Sequence, residues 1–469
     1  MNKHMFAVKD PLTYTKYKEK VSQLDNLRKI WVEIIVPAVL YSCIGAITWA
    51  VRGSDGYGGF DGALVHGMAW ALLWYYFAYV RGIDARKSAF WLGLGVSIGG
   101  FWGYGQYVSW IQGVFYTNTG VTPYESISVN PIHGYVWFWI VGAIWLGIGG
   151  IILGWSMEKK NEKRTFLEVM KKWGPRILIP LSFAVMGYLI VKFQPSWFFP
   201  NYSESLYTEL NCPDCINRTI STNTTNFVML MWWIGAILTS ILQADRTTTF
   251  CGLFMGSIFG FFYMLSAMWT LGYVYAPSFI DWWKMWELSA GFTSGLLYAI
   301  LQHILFRKMD SVHEEQIHKE KSKIDKNQSD NQNMIERRNN GYLIFTNFAY
   351  SLILIYGGSL SIGLFFELYP SDIDQYSFPF ERIILFLIGA IPILVWGFYK
   401  LVKNYTESKK GEYDRFKIPD IHIKIRLQLL YLLIISTIIA WPTKIIIFYI
   451  LCYCATNLVL LYYEKILRR

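Results

Sequence analysis

Charge is what this sequence has least of. Of its 469 residues only 16% are Asp, Glu, Lys or Arg, where an ordinary soluble domain carries about a quarter. Meanwhile 54% are hydrophobic and 18% aromatic, which excludes a soluble globular chain, because so much apolar surface has no water-bounded core to fill. Other absences narrow the class further. Residues 1–30 mix Lys, Asp, Glu and Gln without an apolar run and small-residue cleavage site, so no cleaved leader is expected. The formal charge is +10, yet the basic residues sit at the ends of apolar segments and form no contiguous basic domain, so nucleic acid is not an expected partner. Ionisable residues deep inside the apolar segments are nearly missing too. Glu33, Lys192, Glu287 and Glu367 lie close to segment ends and His303 near an inner end, which argues against a proton relay. Among these, Glu33 is placed to pair with an inner-face cation or to act as a gate.

What is present is a series of mostly apolar stretches of about 20 residues, the length needed to cross a hydrocarbon layer of roughly 30 Å. They fall at 31–51, 62–80, 89–108, 135–155, 177–198, 227–243, 250–275, 285–306, 342–369, 383–399, 427–441 and 445–463. The expectation is an all-α polytopic membrane protein with about twelve transmembrane helices. Translocating cationic loops is disfavoured. With the N-terminus inside, all but six of the 43 basic residues fall on the inner side, and the six are Arg52, Lys192, Arg218, Lys284, Arg382 and Lys444. Both termini are therefore expected to be cytoplasmic, and the chain to lie in the cell membrane with the lipid bilayer as its partner. A homo-oligomer is compatible with this reading.

An offset of 160 positions brings Arg86, Phe90, Ser97, Ile98, Gly100 and Phe101 onto Arg246, Phe250, Ser257, Ile258, Gly260 and Phe261. The first eight spans thus read as two parallel four-helix repeats, because four crossings return each copy to the same side. The organisation expected is a cytoplasmic segment at 1–30, a first repeat at 31–155, a cytoplasmic loop at 156–176, a second repeat at 177–306, a charged cytoplasmic linker at 307–340 and a C-terminal four-helix membrane unit at 341–469. The glycines of the third span, among them Gly95, Gly99, Gly100 and Gly103, and Gly252, Gly256 and Gly260 of the seventh give flat faces. Close helix packing is the favoured reading; the alternative is a bend or a cavity for substrate.

Phe199 to Asn226 reads as an outer loop. It carries three Asn-x-Ser/Thr triplets, at Asn201, Asn217 and Asn223, as glycosylation acceptors, against the alternative that an Asn/Ser/Thr-rich loop makes such triplets by chance. Cys212 and Cys215 in the same loop suggest a disulfide, since no further Cys or His there completes a metal set. Cys43, Cys251, Cys452 and Cys454 fall in apolar segments as core residues.

The segment from Arg52 to Gly62 is too polar for hydrocarbon and too glycine-rich for helix. Its amides suit an anion-cradling nest, with Arg52 supplying charge and Asp55 or Asp61 orienting a hydroxyl or ammonium. It lacks the Gly-Lys-Ser/Thr ending of a phosphate-binding P-loop. The competing reading is a tight outer turn with Asp61 capping the next helix. His66, Trp102, Gln106, Trp110 and His133 lie at neighbouring outer ends and complete a candidate substrate-binding set. Aromatic faces beside carboxylates suit a sugar, a lipid head group or an organic cation, although interfacial belts account for most of the tryptophans. The first functional expectation is a transporter or flippase for such a small-molecule or lipid substrate. The alternatives are a membrane-embedded transferase or hydrolase using Asp55, Asp61, His66 or His133 as acid and base, and a scaffold subunit. No cofactor is identified, a haem or metal on His66 and His133 being weakly founded.

Overall fold

The computed structural model describes residues 7–8, 11–52, 60–103, 107–118, 123, 125–158, 165–203, 213–320 and 446–468. The expected spans at 342–369, 383–399 and 427–441, most of the linker, Asp55, Gln106 and Cys212 lie outside them. The described chain is mostly helical, and six of its helices are long and apolar enough to cross a membrane. In order, β1 (Ala7–Val8) leads to α1 (Pro11–Gln23), α2 (Asn26–Ile30), a π-helical stretch at Trp31–Ile35, α3 (Val36–Arg52), α4 (Phe60–Val80), β2 (Ile83–Asp84) and α5 (Arg86–Trp102). Then come α6 (Val108–Ile111), β3 (Val114–Asn118), β4 (Glu125–Ser128), α7 (Pro131–Ser156), α8 (Phe166–Phe193) and α9 (Pro213–Leu242). The last described are α10 (Arg246–Leu253), a π-helical stretch at Phe254–Ile258, α11 (Phe259–Ala267), α12 (Gly272–Tyr275), α13 (Trp282–Glu320) and α14 (Ile446–Arg468).

Three boundaries differ from the expected ones, each for a local reason. The fifth span was placed at 177 because charge precedes it, but α8 begins at Phe166. A capping box closes its first turn, with Thr165 N donating to Glu168 Oε2 at 2.9 Å and Glu168 N to Thr165 Oγ1. Second, the Asn/Ser/Thr-rich stretch expected to be loop up to Asn226 is helical from Pro213 onward. Its polarity misled the reading, since Asn223 and Asn226 are buried side chains of a helix and not loop residues. Third, α5 stops at Trp102, before the expected 108, and the connection that follows holds α6 and the antiparallel pair β3 and β4.

Two compact units emerge. One comprises Met1–Tyr57, Leu64–Gly93 and Gly295–Arg469; the other comprises Gly58–Ala63 and Leu94–Ser294. In the second unit α7 is the hub: it is buried along most of its length and packs against α6, α9, α10 and α11. Its glycines and those of its neighbours are there for approach. A Cβ at Gly99 would overlap the Trp145 carbonyl, and one at Gly150 the Cys251 carbonyl. Backbones that meet so closely replace the hydrophobic driving force that lipid cannot supply.

At one end of this unit α7, α8, α9 and α10 are tied by Arg176, which is 2% exposed. Its Nε donates to Gln243 Oε1 at 2.9 Å, Nη1 to Glu158 Oε2 at 3.0 Å and Nη2 to Asp245 Oδ2 at 3.0 Å. Trp155 and Trp173 flank the guanidinium at 5.6 and 5.2 Å. Lys172 pairs with Glu158, and Asp245 also caps α10 through Thr248 N. Two cations thus meet two carboxylates, so no charge is buried uncompensated.

The first unit closes α14 onto α3. Tyr463 meets Phe77 at 5.9 Å and Trp31 meets Tyr462 at 5.7 Å, and Cys43 of α3 and Cys452 of α14 neighbour one another. Neighbouring cysteines can be joined where their Cα atoms lie within about 7 Å. Treating native membranes with a membrane-permeant copper oxidant is expected to give an intramolecular Cys43–Cys452 cross-link, read as one joined peptide pair by mass spectrometry. Its absence would place α14 elsewhere.

Candidate functional site

The first unit holds a continuous column of aromatic and hydrogen-bonding side chains. It begins at His66 of α4, which is fully buried. The imidazole stacks on Trp49 with ring centroids 5.3 Å apart and 22° between planes, and meets the edge of Trp70 at 5.2 Å. Positions 66, 70 and 74 recur every four residues, so one face of α4 carries all three rings. Trp70 Nε1 donates to the Tyr41 carbonyl at 3.3 Å, and its ring lies 5.1 Å from Tyr298. One turn further along α13, Gln302 Nε2 donates to the Trp74 carbonyl at 3.0 Å, while Trp74 Nε1 donates to Ser88 Oγ at 3.1 Å.

The column continues to the far end of the unit. Trp74 meets Phe306 at 5.7 Å, and Phe306 lies under the guanidinium of Arg81 at 5.3 Å. Arg81 is 4% exposed and also covers the ring of Tyr17 at 5.5 Å. Burial works to lower the Arg81 pKa, but Tyr17, Tyr463, Asp310 and Glu33 outweigh it and raise it. Burial pushes the Tyr17 phenol up, against the opposing pull of Arg81, so it stays protonated at neutral pH. His303 Nδ1 lies 3.2 Å from the Glu33 carbonyl. A carbonyl only accepts, so Nδ1 carries the proton there. The partner of His303 is thus the backbone of the π-helical stretch, whereas a gating role had been expected of the Glu33 carboxylate. π-helical turns recur at functional sites.

Of the eight expected binding residues, Asp55 and Gln106 lie outside the described residues and the other six divide between the units. Arg52 ends α3 and His66 lies within the column, and both belong to the first unit. Asp61 in the first turn of α4, Trp102, Trp110 and His133 belong to the second. Trp102 is 40% exposed at the end of α5, and His133 is half-buried in the first turn of α7. Trp110 is buried between Tyr107, at 5.1 Å, and Phe115, at 5.9 Å, where it supports the β3–β4 pair. Asn201 is exposed, with its amide donating to the Ser128 carbonyl at 3.1 Å. Asn223 is fully buried: its oxygen accepts from Tyr107 Oη at 2.8 Å and its nitrogen donates to the Phe198 carbonyl at 3.2 Å. Asn217 and Cys215 lie in α9.

Trp49, Trp70, Tyr298, Gln302 and Arg81 were missed by the sequence reading. Their signals were the four-residue spacing of rings on α4 and an arginine directly after an apolar run. Among the described residues no three His, Cys, Asp or Glu side chains converge as a metal ligand set. Compared with known proteins, the chain matches no family model, no curated protein and no solved structure.

Proposed function

We propose that the protein is a membrane transporter or flippase that moves a small polar or amphipathic molecule through the column of the first unit. The observation that carries this reading is a titratable ring, His66, fully buried on an apolar helix against the face of Trp49 and in edge contact with Trp70. Polar and ionisable groups are costly within a bilayer, and where they occur they commonly mark pathways. Rings at 5 to 6 Å along the column also suit a sugar, a lipid head group or an organic cation. The full chain in this reading crosses the cell membrane about twelve times with both termini cytoplasmic, and the match at an offset of 160 makes its first eight spans two related four-helix copies. Arg52, at the end of α3 in the same unit, then belongs to the polar approach from outside. The enzyme alternative would need Asp55, Asp61, His66 or His133 to act as acid and base.

The test uses full-length protein in liposomes with three probes, radiolabelled choline, radiolabelled glucose and a fluorescent phosphatidylcholine. Flux of at least one above protein-free liposomes is expected. It should fall about tenfold or more in His66→Phe, which keeps the stacking shape and loses both nitrogens. Flux of none of the three overturns the reading.

A further inference from the structure

The foot of the column is covered by the N-terminal segment of the same chain. On α1, Tyr14, Tyr17 and Val21 are spaced three and four residues apart and all are buried, so α1 seats one face, with Lys18 half-buried at its border and Lys16 and Lys20 exposed. Three separate contacts hold it. Ala7 and Val8 pair antiparallel with Asp84 and Ile83, just beyond the end of α4. Tyr14 Oη donates to Asp310 Oδ1 at 2.9 Å and Lys18 Nζ to Asp310 Oδ2 at 2.6 Å, at the end of the apolar part of α13. The Tyr17 ring lies under Arg81, the last member of the column, whose Nε is buried with no acceptor among the described residues. A short helix therefore bridges the ends of the two helices that carry the column and closes its terminal cation against an aromatic face. The Lys18–Asp310 pair is partly exposed, with side chains 30% and 12% accessible, and such pairs contribute modestly and break readily. That is the character of a latch and not of a core contact.

We propose that β1 and α1 are an intrachain gate over this end of the column, held shut by Lys18 on Asp310 and by Tyr17 on Arg81, and released for each passage. The gating role rests on the transport reading; the latch itself does not.

The test reads access and flux separately, in full-length protein whose six native cysteines are replaced by Ser. Ser88→Cys, beside Trp74 and buried, reports access to the column near the latch, and Thr48→Cys, buried on α3, reports general loosening. Labelling by a water-soluble maleimide from the N-terminal face is expected to rise about tenfold at position 88 when Lys18→Glu is added, from lost attraction plus repulsion by Asp310. It should stay at the parent rate with Lys18→Arg and be unchanged at position 48 in both. Equal rates at position 88 for Lys18→Glu and Lys18→Arg, or a parallel rise at position 48, overturn the latch. Faster labelling together with raised flux of the transported probe supports the gate. Faster labelling with no flux of any probe in any variant leaves the latch standing and sinks the gating role together with transport.

Discussion

Replacing Arg176 by Met is expected to cost about 3–5 kcal/mol of unfolding free energy, the range found when one partner of a buried ion pair is removed. The change takes the 3.0 Å guanidinium contacts from the half-buried carboxylates of Glu158 and Asp245, leaving them Lys172 and Thr248, and removes the Nε donor from the Gln243 oxygen. The methionine keeps most of the packing between Trp155 and Trp173, so the loss reports the charges and not a cavity. Arg176→Lys should recover less than half of it. A single ammonium reaches one or two acceptors where the planar fork reaches three, and it stacks poorly between two indoles. Reversible unfolding in mixed detergent micelles reads all three proteins. A loss below about 1 kcal/mol in the methionine variant would mean that the four helices are not joined through this residue.

The second large effect concerns backbone approach. Gly99→Leu is expected to destabilise by about 3 kcal/mol or more, above the usual penalty of overpacking. The reason is that the group in the way is the Trp145 carbonyl, main chain that has no other rotamer to adopt. Relief requires α5 to move off α7. Gly150 faces the Cys251 carbonyl in the same manner on the other side of α7, and its leucine variant should behave alike. Gly174 is the contrast: a Cβ there has nothing within 4 Å, so Gly174→Ala should be neutral or stabilise by up to about 1 kcal/mol through helix propensity. The same micelle unfolding measures the set, and a Gly99 variant as stable as Gly174→Ala would remove the close crossing.

Helices announced themselves in the sequence wherever apolar length alone decides, as at 31–51, 62–80 and 135–155, which the structure forms as the stretch ending in α3, as α4 and as α7. The packing reading of the glycines was legible too, since small residues at four-residue spacing give a flat helix face on which backbones approach, as at Gly99 and Gly150. Where capping or a polar face decides, the reading failed. Thr165 and Glu168 extend α8 through a charged stretch, and Asn223 and Asn226 are helical because Tyr107 satisfies them from a segment more than 100 residues away. Such a contact has no local trace. His66 was legible as a candidate, but the company it keeps was not. Trp49 and Trp70 become its neighbours only through the packing of α3 beside α4, and Gln302 and Phe306 join the column from α13. The latch was invisible for a simpler reason: a charged N-terminal segment reads as solvated until Asp310 and Arg81 are brought to meet it.

Substituted cysteines test most directly whether passage runs through this column. Single cysteines at His66, Tyr298 and Gln302, spaced along it, and at Gly174, with open space beside it, are placed in the cysteine-free protein and treated with a small maleimide during uptake of the transported probe. Modification at each of the three column positions should stop uptake, and excess unlabelled probe should protect them, while modification at position 174 should leave uptake unchanged. Uptake that continues after all three column positions are modified would contradict a path through the first unit.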